Sequence, residues 1–482
     1  MHRNLKLTAM IIGRKRELEK IREAYDSEYS EFVAVYGRRR VGKTFLIREC
    51  FNYTFTFEYS GLANASNREQ LKEFRNSLVK QGYRKSRTPS NWYDAFSLLE
   101  DFIKQSSDEK KTVFIDEMPW MDAPRSHFVS ALEHFWNGFA SARRDVLLII
   151  CGSATSWMVK NVFKNHGGLH NRVTYRIHLH QFSLFECEQY AEIRNLAFSR
   201  QEILLCYMVF GGIPYYWHAL DKGKSADQNI DWLLFNPDGE LYGEFNELYM
   251  SLFSRPEGYI KVIKTLGTKR IGMTRNELIE EGGLETGGKL STILENLINC
   301  DFIRAYQPFN SKKNNTVYQL VDNYTLFYFK YIKENTEADI NFWSHNLNTP
   351  IRNSWQGLAF EQVCYEHVQQ IKQKLGISGI VTKICSWNVK SDDEHGPGAQ
   401  IDMLIDRADN VINICEMKFT DTPYLLTKSD NENLKWKRCR LLSTTGTKKS
   451  IHLTMITTEG IVKNKYSGEI QSEVTSDDLF KD

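Results

Sequence analysis

The chain has 482 residues, 41% of them apolar and 25% charged, with Lys plus Arg at 62 against Asp plus Glu at 60. That length exceeds what one hydrophobic core serves, so three or four domains are expected, and the composition excludes a disordered or fibrous protein. The balanced charge neither announces nor excludes a nucleic-acid partner, because a local basic face can hide in a neutral total.

The nine cysteines include no C-x-x-C pair, which suits a reducing cytoplasm and argues against structural zinc. No apolar run approaches the ~20 residues of a membrane span, so a cytoplasmic protein without a membrane partner is expected. In chain order, IIGRKREL at residues 11–18 opens a charged amphipathic helix ending near Tyr25. Phe32 to Tyr36 is an apolar, β-branched run of the kind found in a buried parallel strand, and the GRRRVGKT that follows fills the pattern G-x-x-x-x-G-K-[ST]. Gly37 and Gly42 leave room for backbone N–H groups to wrap phosphates, with Arg38, Arg39, Arg40 and Val41 completing the loop, and the helix from Lys43 aims its positive end at them. Lys43 would reach the β and γ phosphates of ATP, and the Thr44 hydroxyl would ligate Mg²⁺.

Helical periods at residues 70–80 and 92–104 read as packing faces. The strand Lys111 to Asp116 then ends in two adjacent acids: Asp116 would hold Mg²⁺, and Glu117 would orient and deprotonate the attacking water. Asp145 to Ser153 forms a third apolar strand, and ligands meet the carboxyl ends of such strands. Ser153 or Thr155 is therefore placed to touch the γ-phosphate or its water, and either serves equally well as an N-cap. Strands alternating with helices over residues 30–180 imply an α/β domain with a mostly parallel sheet.

IIGRKREL, GRRRVGKT, FIDE, CGSATSWM, the GGLHNR ending at Arg172 and the GGIPY around Pro214 together resemble the predicted archaeal and bacterial ATPases of the AAA+/STAND group, which carry a C-terminal nuclease-like domain. The resemblance implies that Ile12 and Arg14 lie near the adenine, that Ser153 is a sensor, and that Arg172 is an arginine finger acting in its own subunit or a neighbour's. It also implies a helical lid from about Gln181 to Leu220, with Gly212 and Pro214 shaping its contact to the nucleotide.

Residues 245–334 change character. Three helices, near 259–266, 274–280 and 288–299, precede two strands flanking a polar tip with Lys312 and Lys313, and Thr274 with Glu277 forms a capping box. This is the winged-helix order, used either to read DNA, with the two lysines on phosphate, or as a packing or dimer module. An aromatic helical bridge, 324–334, leads to a last domain. There a helix bears Glu361, one strand bears Asp402, and the next bears Glu416-x-Lys418, the signature of a PD-(D/E)XK nuclease, although Pro397 stands farther from Asp402 than the nominal pattern. Asp402 and Glu416, with Glu361 as an additional acid, would share Mg²⁺ while Lys418 orients a water. Parity imposes a condition: a hairpin pairing Asp406 with Val411 would set Asp402 opposite Cys415, so a shared site requires an odd-length loop or a bulge near 407–410. KWKRCR at 435–440 suits a nucleic-acid backbone or an exposed helix.

The expected fold is a multidomain α/β protein. A P-loop NTPase (AAA+-like) parallel-sheet core (1–180) is followed by a helical lid (181–244), a winged helix (245–334) and a restriction-endonuclease-like α/β domain (335–482). The expected function is ATP binding and hydrolysis whose nucleotide state controls a DNA-interacting nuclease-like domain, with a homo-oligomer compatible. The alternative is a nucleotide-dependent switch whose nuclease-like domain binds without catalysis.

Overall fold

A computed structural model describes residues 11–84, 87–164, 169, 171–253, 255–311, 315–391 and 396–482. Lys312 and Lys313 lie outside the described residues. The chain forms two compact units, residues 1–181 with 251–254, and residues 182–250 with 255–482.

In the first unit, the strands β1 (Glu31–Tyr36), β2 (Phe57–Ser60), β3 (Lys111–Asp116), β4 (Val146–Gly152) and β5 (Tyr175–His178) form a sheet in the order β2-β3-β4-β1-β5, every pair parallel. β4 is buried along its whole length and β1 over its central residues, as continuous apolar runs at the centre of a covered parallel sheet require. β2 and β5 have no such run, and the sequence reading did not find them. Edge strand β2 is blunted from within: the Gln81 side chain accepts a hydrogen bond from Glu58 N–H at 2.7 Å and donates to Glu58 O at 2.8 Å.

The sheet is flanked by α1 (Lys15–Asp26), α2 (Lys43–Cys50), α3 (Asn67–Lys80), α4 (Trp92–Gln105) and α5 (Phe128–Gly138), with a short α6 (Thr155–Met158) after β4. α3 begins three residues before the expected Gln70 because Ser66 and Glu69 form a reciprocal capping box ahead of it. Phe74, Trp92, Phe96, Phe128 and Phe135 are fully or almost fully buried in one cluster beside the sheet.

The second unit opens with α7 (Leu184–Ile193), α8 (Arg200–Phe210), α9 (Pro214–His218), α10 (Ala226–Leu234) and α11 (Glu244–Leu252). Ser183, Ser199 and Ser225 each cap a helix with a Glu or Gln three residues on. Gly212 is required by close approach: a Cβ there would lie 1.9 Å from Phe182 O, and Phe182 N–H donates to Gly212 O at 2.6 Å. Next come α12 (Pro256–Gly267), β6 (Met273–Thr274), α13 (Arg275–Gly282), α14 (Gly288–Asn299), β7 (Ile303–Tyr306) and β8 (Val317–Leu320), the strands forming an antiparallel sheet in the order β6-β8-β7. Thr274 and Glu277 form the expected capping box on α13. The aromatic bridge is helical as expected, beginning as α15 (Asn323–Phe327) and widening to π-type turns over Tyr328–Ile332.

The last third runs α16 (Phe342–His345), α17 (Pro350–Glu366), α18 (Val368–Lys374), β9 (Thr382–Val389), β10 (Ala399–Arg407), β11 (Val411–Lys418), α19 (Lys428–Thr445), β12 (Ser450–Thr457), β13 (Ser472–Thr475) and α20 (Ser476–Leu479). The sheet order is β13-β12-β11-β10-β9, antiparallel from β9 to β11 and parallel from β11 to β13. No helix among the described residues is long and apolar enough to cross a membrane.

His367, between α17 and α18, is buried in the second unit. Its Nε2 accepts from Leu184 N–H at 3.0 Å, which leaves Nδ1 as the N–H that donates to Val363 O at 2.8 Å, and burial pushes the imidazole from 6.5 down to about 4. The neutral ring is what the fold holds. The contribution is therefore present above the unfolded value of 6.5 and is lost as pH falls towards 4. Denaturation of the full chain at pH 7 and pH 5 should show about 2 kcal/mol less stability at pH 5 from this group, and that difference should be absent in His367→Gln.

Candidate functional site

Because β3, β4 and β1 are parallel neighbours, their carboxyl ends meet at one edge, and the three sequence motifs follow those ends. The loop after β1 turns at Gly37 with φ 145°, where a Cβ would lie 2.3 Å from Leu179 O. Arg40 and Gly42 also take positive φ, 74° and 87°, and Gly42 is the N-cap of α2. Arg38 and Val41 are buried, and Arg39 is exposed. The buried Lys43 ammonium donates to Gly37 O at 2.9 Å and Arg38 O at 2.8 Å. Thr44 Oγ1 donates to Asp116 Oδ2 at 2.8 Å, while Asp116 Oδ1 accepts from Glu117 N–H at 2.9 Å. Glu117, at φ 48°, accepts through Oε2 from Ser153 Oγ at 2.8 Å and from Ser153 N–H at 3.3 Å.

Five expected residues, Lys43, Thr44, Asp116, Glu117 and Ser153, thus stand together. Their donors suit a nucleotide with Mg²⁺: a cation resting on replaceable carbonyls, and a hydroxyl beside a carboxylate, hard oxygen ligands for that ion. Ile12 and Arg14 are both buried, and Arg14 takes φ 57° as the N-cap of α1. Arg172 is exposed in the turn before β5, and among the described residues no hydrogen bond or ion pair joins its side chain to the phosphate loop. Pro214 begins α9 in the second unit.

Two supports were not found in the sequence. Gln70, almost fully buried, donates to Leu62 O at 2.7 Å and Trp120 O at 3.1 Å and accepts from Leu62 N–H at 3.0 Å, tying the loops that follow β2 and β3. Gly61 lets those loops close, since a Cβ there would lie 2.6 Å from Glu117 O.

A second polar cluster lies in the last third of the chain. β10 and β11 pair Asp406 with Ile412 and Met403 with Cys415. The loop between Asp406 and Ile412 is therefore odd in length, with Asn410 at φ 66°, and extending the register one residue sets Asp402 opposite Glu416. The four-residue loop taken as the plain case is not the one formed. On its other side β10 carries an irregularity between Ile401 and Leu404 against β9, which falls at Asp402.

Glu416 is held by two lysines, Lys418 Nζ at 3.0 Å and Lys437 Nζ at 2.7 Å. Burial alone would raise its pKa, but Lys437 and Lys418 outweigh it and keep the carboxylate charged. Burial lowers and Glu416 raises the Lys418 ammonium, with a net rise. Asp402 Oδ1 accepts from Gln400 Nε2 at 2.6 Å, and its carbonyl accepts from the Tyr365 hydroxyl. Glu361 pairs with Arg270 Nη2 at 3.4 Å. Burial pushes its carboxyl up to about 7, against the pull of Arg270 and with the help of the Asp402 and Glu416 charges.

These carboxylates are the right donors for a hard cation, yet in this arrangement they do not fit one. Among the described residues, the carboxylates of Glu361, Asp402 and Glu416 do not gather within 4.8 Å of one another. Each already has a partner from the chain. Lys437 and Arg270 were missed because only the packing of α19 and of the α12–β6 turn brings them here. KWKRCR is largely engaged as well: Lys437 on Glu416, Lys435 on Glu469 at 3.2 Å, and Arg440 buried. Lys435, Arg438 and Cys439 remain on the exposed side of the helix, which fits the exposed-helix alternative for this stretch.

Residues 11–220 match a family described as an ATPase domain predominantly from Archaea. The chain is 25% identical over 384 residues to an uncharacterized protein of Methanocaldococcus jannaschii, covering 78% of this chain and 82% of that one. Among solved structures it is similar to a Walker-type ATPase of Pyrococcus abyssi, at 18% identity, 66% and 95% coverage of the two chains and a TM-score of 0.47. It is also similar to the ORC2 protein of Aeropyrum pernix, at 13% identity, 74% and 95% coverage and a TM-score of 0.41.

The tight packing of Gly61 beneath Glu117 yields a separable prediction. Gly61→Ala should displace the Glu117 carbonyl and lower the turnover number for ATP about 10- to 100-fold, while ATP affinity changes little. Steady-state hydrolysis and equilibrium titration with a fluorescent ATP analogue read the two quantities separately.

Proposed function

With an ATPase domain at residues 11–220 as the premise, we propose that this protein binds and hydrolyses ATP at the edge formed by β1, β3 and β4. Its nucleotide state then governs a DNA-engaging second unit. The observation that carries the first part is the continuous chain of contacts from Lys43 through Thr44, Asp116 and Glu117 to Ser153.

When phosphates enter the loop, Lys43 exchanges the carbonyls of Gly37 and Arg38 for phosphate oxygens, and the N–H groups of residues 38–44 point at the same charge. Thr44 and Asp116 hold Mg²⁺, which when bound supplies positive charge against the β and γ phosphates. Glu117 orients the attacking water and accepts its proton. Ser153, bonded to the same Glu117 oxygen, sets the direction of that carboxylate and reports the γ-phosphate. Arg172, exposed in its turn, serves as the arginine finger for its own or a neighbouring subunit's nucleotide, a homo-oligomer being the second case.

For the second unit, the order of helix, three antiparallel strands, helix and parallel strand supports a PD-(D/E)XK nuclease-like domain, as does Asp402 lying across from Glu416-x-Lys418. Three helices and a three-stranded antiparallel sheet at residues 256–320 support a winged helix beside it. A second reading has an observation of its own. The partnered carboxylates, which do not converge, favour a nuclease-like domain that binds DNA without cutting it.

Hydrolysis of ATP should require Mg²⁺ and fall at least about 100-fold in Lys43→Ala, through lost binding, and in Glu117→Gln with binding retained. Incubation of plasmid and single-stranded DNA with Mg²⁺, with and without ATP, should give cutting that Lys418→Ala removes and Lys43→Ala alters. Binding of DNA without cutting by the wild type selects the second reading. A wild type that neither hydrolyses ATP nor touches DNA overturns the proposal.

A further inference from the structure

The β2 edge of the first sheet lies in a groove of about 500 Å³ within the first unit. Its lining runs from Arg48 and Tyr53 beside α2, across Glu58 and Ser60 of the strand, to Glu73 and Gln81 at α3. Gly61 N–H donates inward to Asp116 O at 3.0 Å, so by alternation Glu58 and Ser60 send their backbone N–H and C=O out of the sheet. The outward groups of Glu58 are met by one carboxamide: Gln81 accepts from Glu58 N–H at 2.7 Å and donates to Glu58 O at 2.8 Å. Exchange of both bonds with a single residue is what an antiparallel neighbour does in a hydrogen-bonded pair. The Gln81 side chain therefore stands where the backbone of a further strand would run. Among the described residues nothing outside the sheet bonds to the Ser60 backbone.

The groove also holds room and chemistry for side chains. Tyr53 and Leu62, 59% and 37% exposed, leave apolar surface in water at either end of the four-residue strand. A residue set opposite Glu58 or Ser60 shares their face, where Tyr53 and the stem of Arg48 lie. A residue opposite Tyr59 turns to the other face, where Tyr59 packs on Phe74 of α3, and where burial and then the nearby Glu73 charge push the Tyr59 hydroxyl up. Glu58 is paired with Arg48 at 2.7 Å. The cation on Glu73, by contrast, is the exposed Lys80 at 3.3 Å, a pair weak enough for another cation to share. Apolar side chains thus suit the positions opposite Glu58 and Ser60, and a basic one suits the position between them.

We propose that the β2 edge is a docking site for an extended peptide of a partner protein, alternating apolar and basic residues. The peptide displaces the Gln81 carboxamide and adds to the sheet as an antiparallel sixth strand, with main-chain bonds giving affinity and the Glu73 face giving selectivity. The inference does not rest on hydrolysis of ATP. It places the docked strand one strand away from Asp116, which β3 pairs with Ser60.

Fluorescence anisotropy of a labelled peptide, acetyl-Val-Lys-Val-Lys-Val-amide, titrated with the full chain tests this. Binding should slow hydrogen exchange at the Ser60 amide. Gln81→Ala, which removes the internal competitor, should bind about three- to tenfold more tightly than the wild type, as the loss of one or two exposed hydrogen bonds implies. The same peptide N-methylated at its valines keeps every side chain but loses the N–H donors that face β2, and should not bind. Replacing its lysines by glutamates should weaken binding about threefold or more, and Glu73→Gln should narrow that preference. No binding to either the wild type or Gln81→Ala up to about 1 mM overturns the proposal and leaves Gln81 as a plug. Equal affinities in those two proteins, or equal binding of the N-methylated peptide, also overturn it. A concentration-dependent dimer that protects the Ser60 amide without peptide overturns it in favour of a second copy of this chain.

Discussion

An ammonium removed from water needs acceptors, and Lys43 is 5% exposed. Its acceptors are two carbonyls of its own loop, Gly37 O and Arg38 O, which can face inward only because Gly37 adopts a φ of 145° that a side chain would oppose. The loop is thereby shaped around a charge before any phosphate arrives. The parallel sheet supplies the rest of the geometry: with β1 beside β4 and β4 beside β3, Thr44, Asp116, Glu117 and Ser153 come within hydrogen-bond distance in sequence. Little has to move for a nucleotide to bind, because the ligand replaces acceptors that the chain already provides.

The second polar cluster is assembled by a different rule. Along antiparallel strands, facing residues are decided by the parity of the connecting loop, and one residue more or less would turn Asp402 away from Glu416. Asn410, in the left-handed region, closes the odd loop. The ladder thus brings two acids across from each other, and lysines from β11 and α19 then converge on one of them. Parallel strands gather residues at their ends, whereas an antiparallel pair gathers them along its length, and the two sites of this chain illustrate the difference.

What the sequence showed was what local chemistry dictates. The buried runs of β1, β3 and β4, the glycines of the phosphate loop, and the Thr274–Glu277 capping box all follow from residues close together in the chain. β2 and β5 escaped because four residues such as Tyr175–His178 carry no periodic apolar signal, and they are strands only because β1 and β3 have edges to fill. β9, β12 and β13 escaped likewise: β12 meets its partner β11 only across α19, and β9 and β13 are joined to their partners by connections too long to give a tight-turn signal. Lys437 could be read only as part of a basic run, since its partner Glu416 is 21 residues away and the side of α19 that meets the sheet is a tertiary fact. Arg270 lies 91 residues from Glu361 and carries no local sign of the pairing at all.

The cost of that pairing bears on what the cluster is for. Carboxylates and ammonium groups drawn out of water lose hydration that their mutual attraction recovers only in part, so well-packed apolar side chains of similar volume often give an equal or greater stability. Ile412 and Ile414 show the alternative on the same face of the same strand, where Glu416 and Lys418 continue the alternation. A sheet needing only to fold would continue it with apolar side chains. Charges set in place of that packing are not explained by stability alone, and they are met from several elements: Lys437 from α19 on Glu416, and Arg270 from the α12–β6 turn on Glu361. Lys43 rests on neutral carbonyls that a ligand can replace, whereas Arg270 is paired with a carboxylate and tied through Gln319 to Arg304 and its stack on Tyr365, so it is anchored to the fold around it.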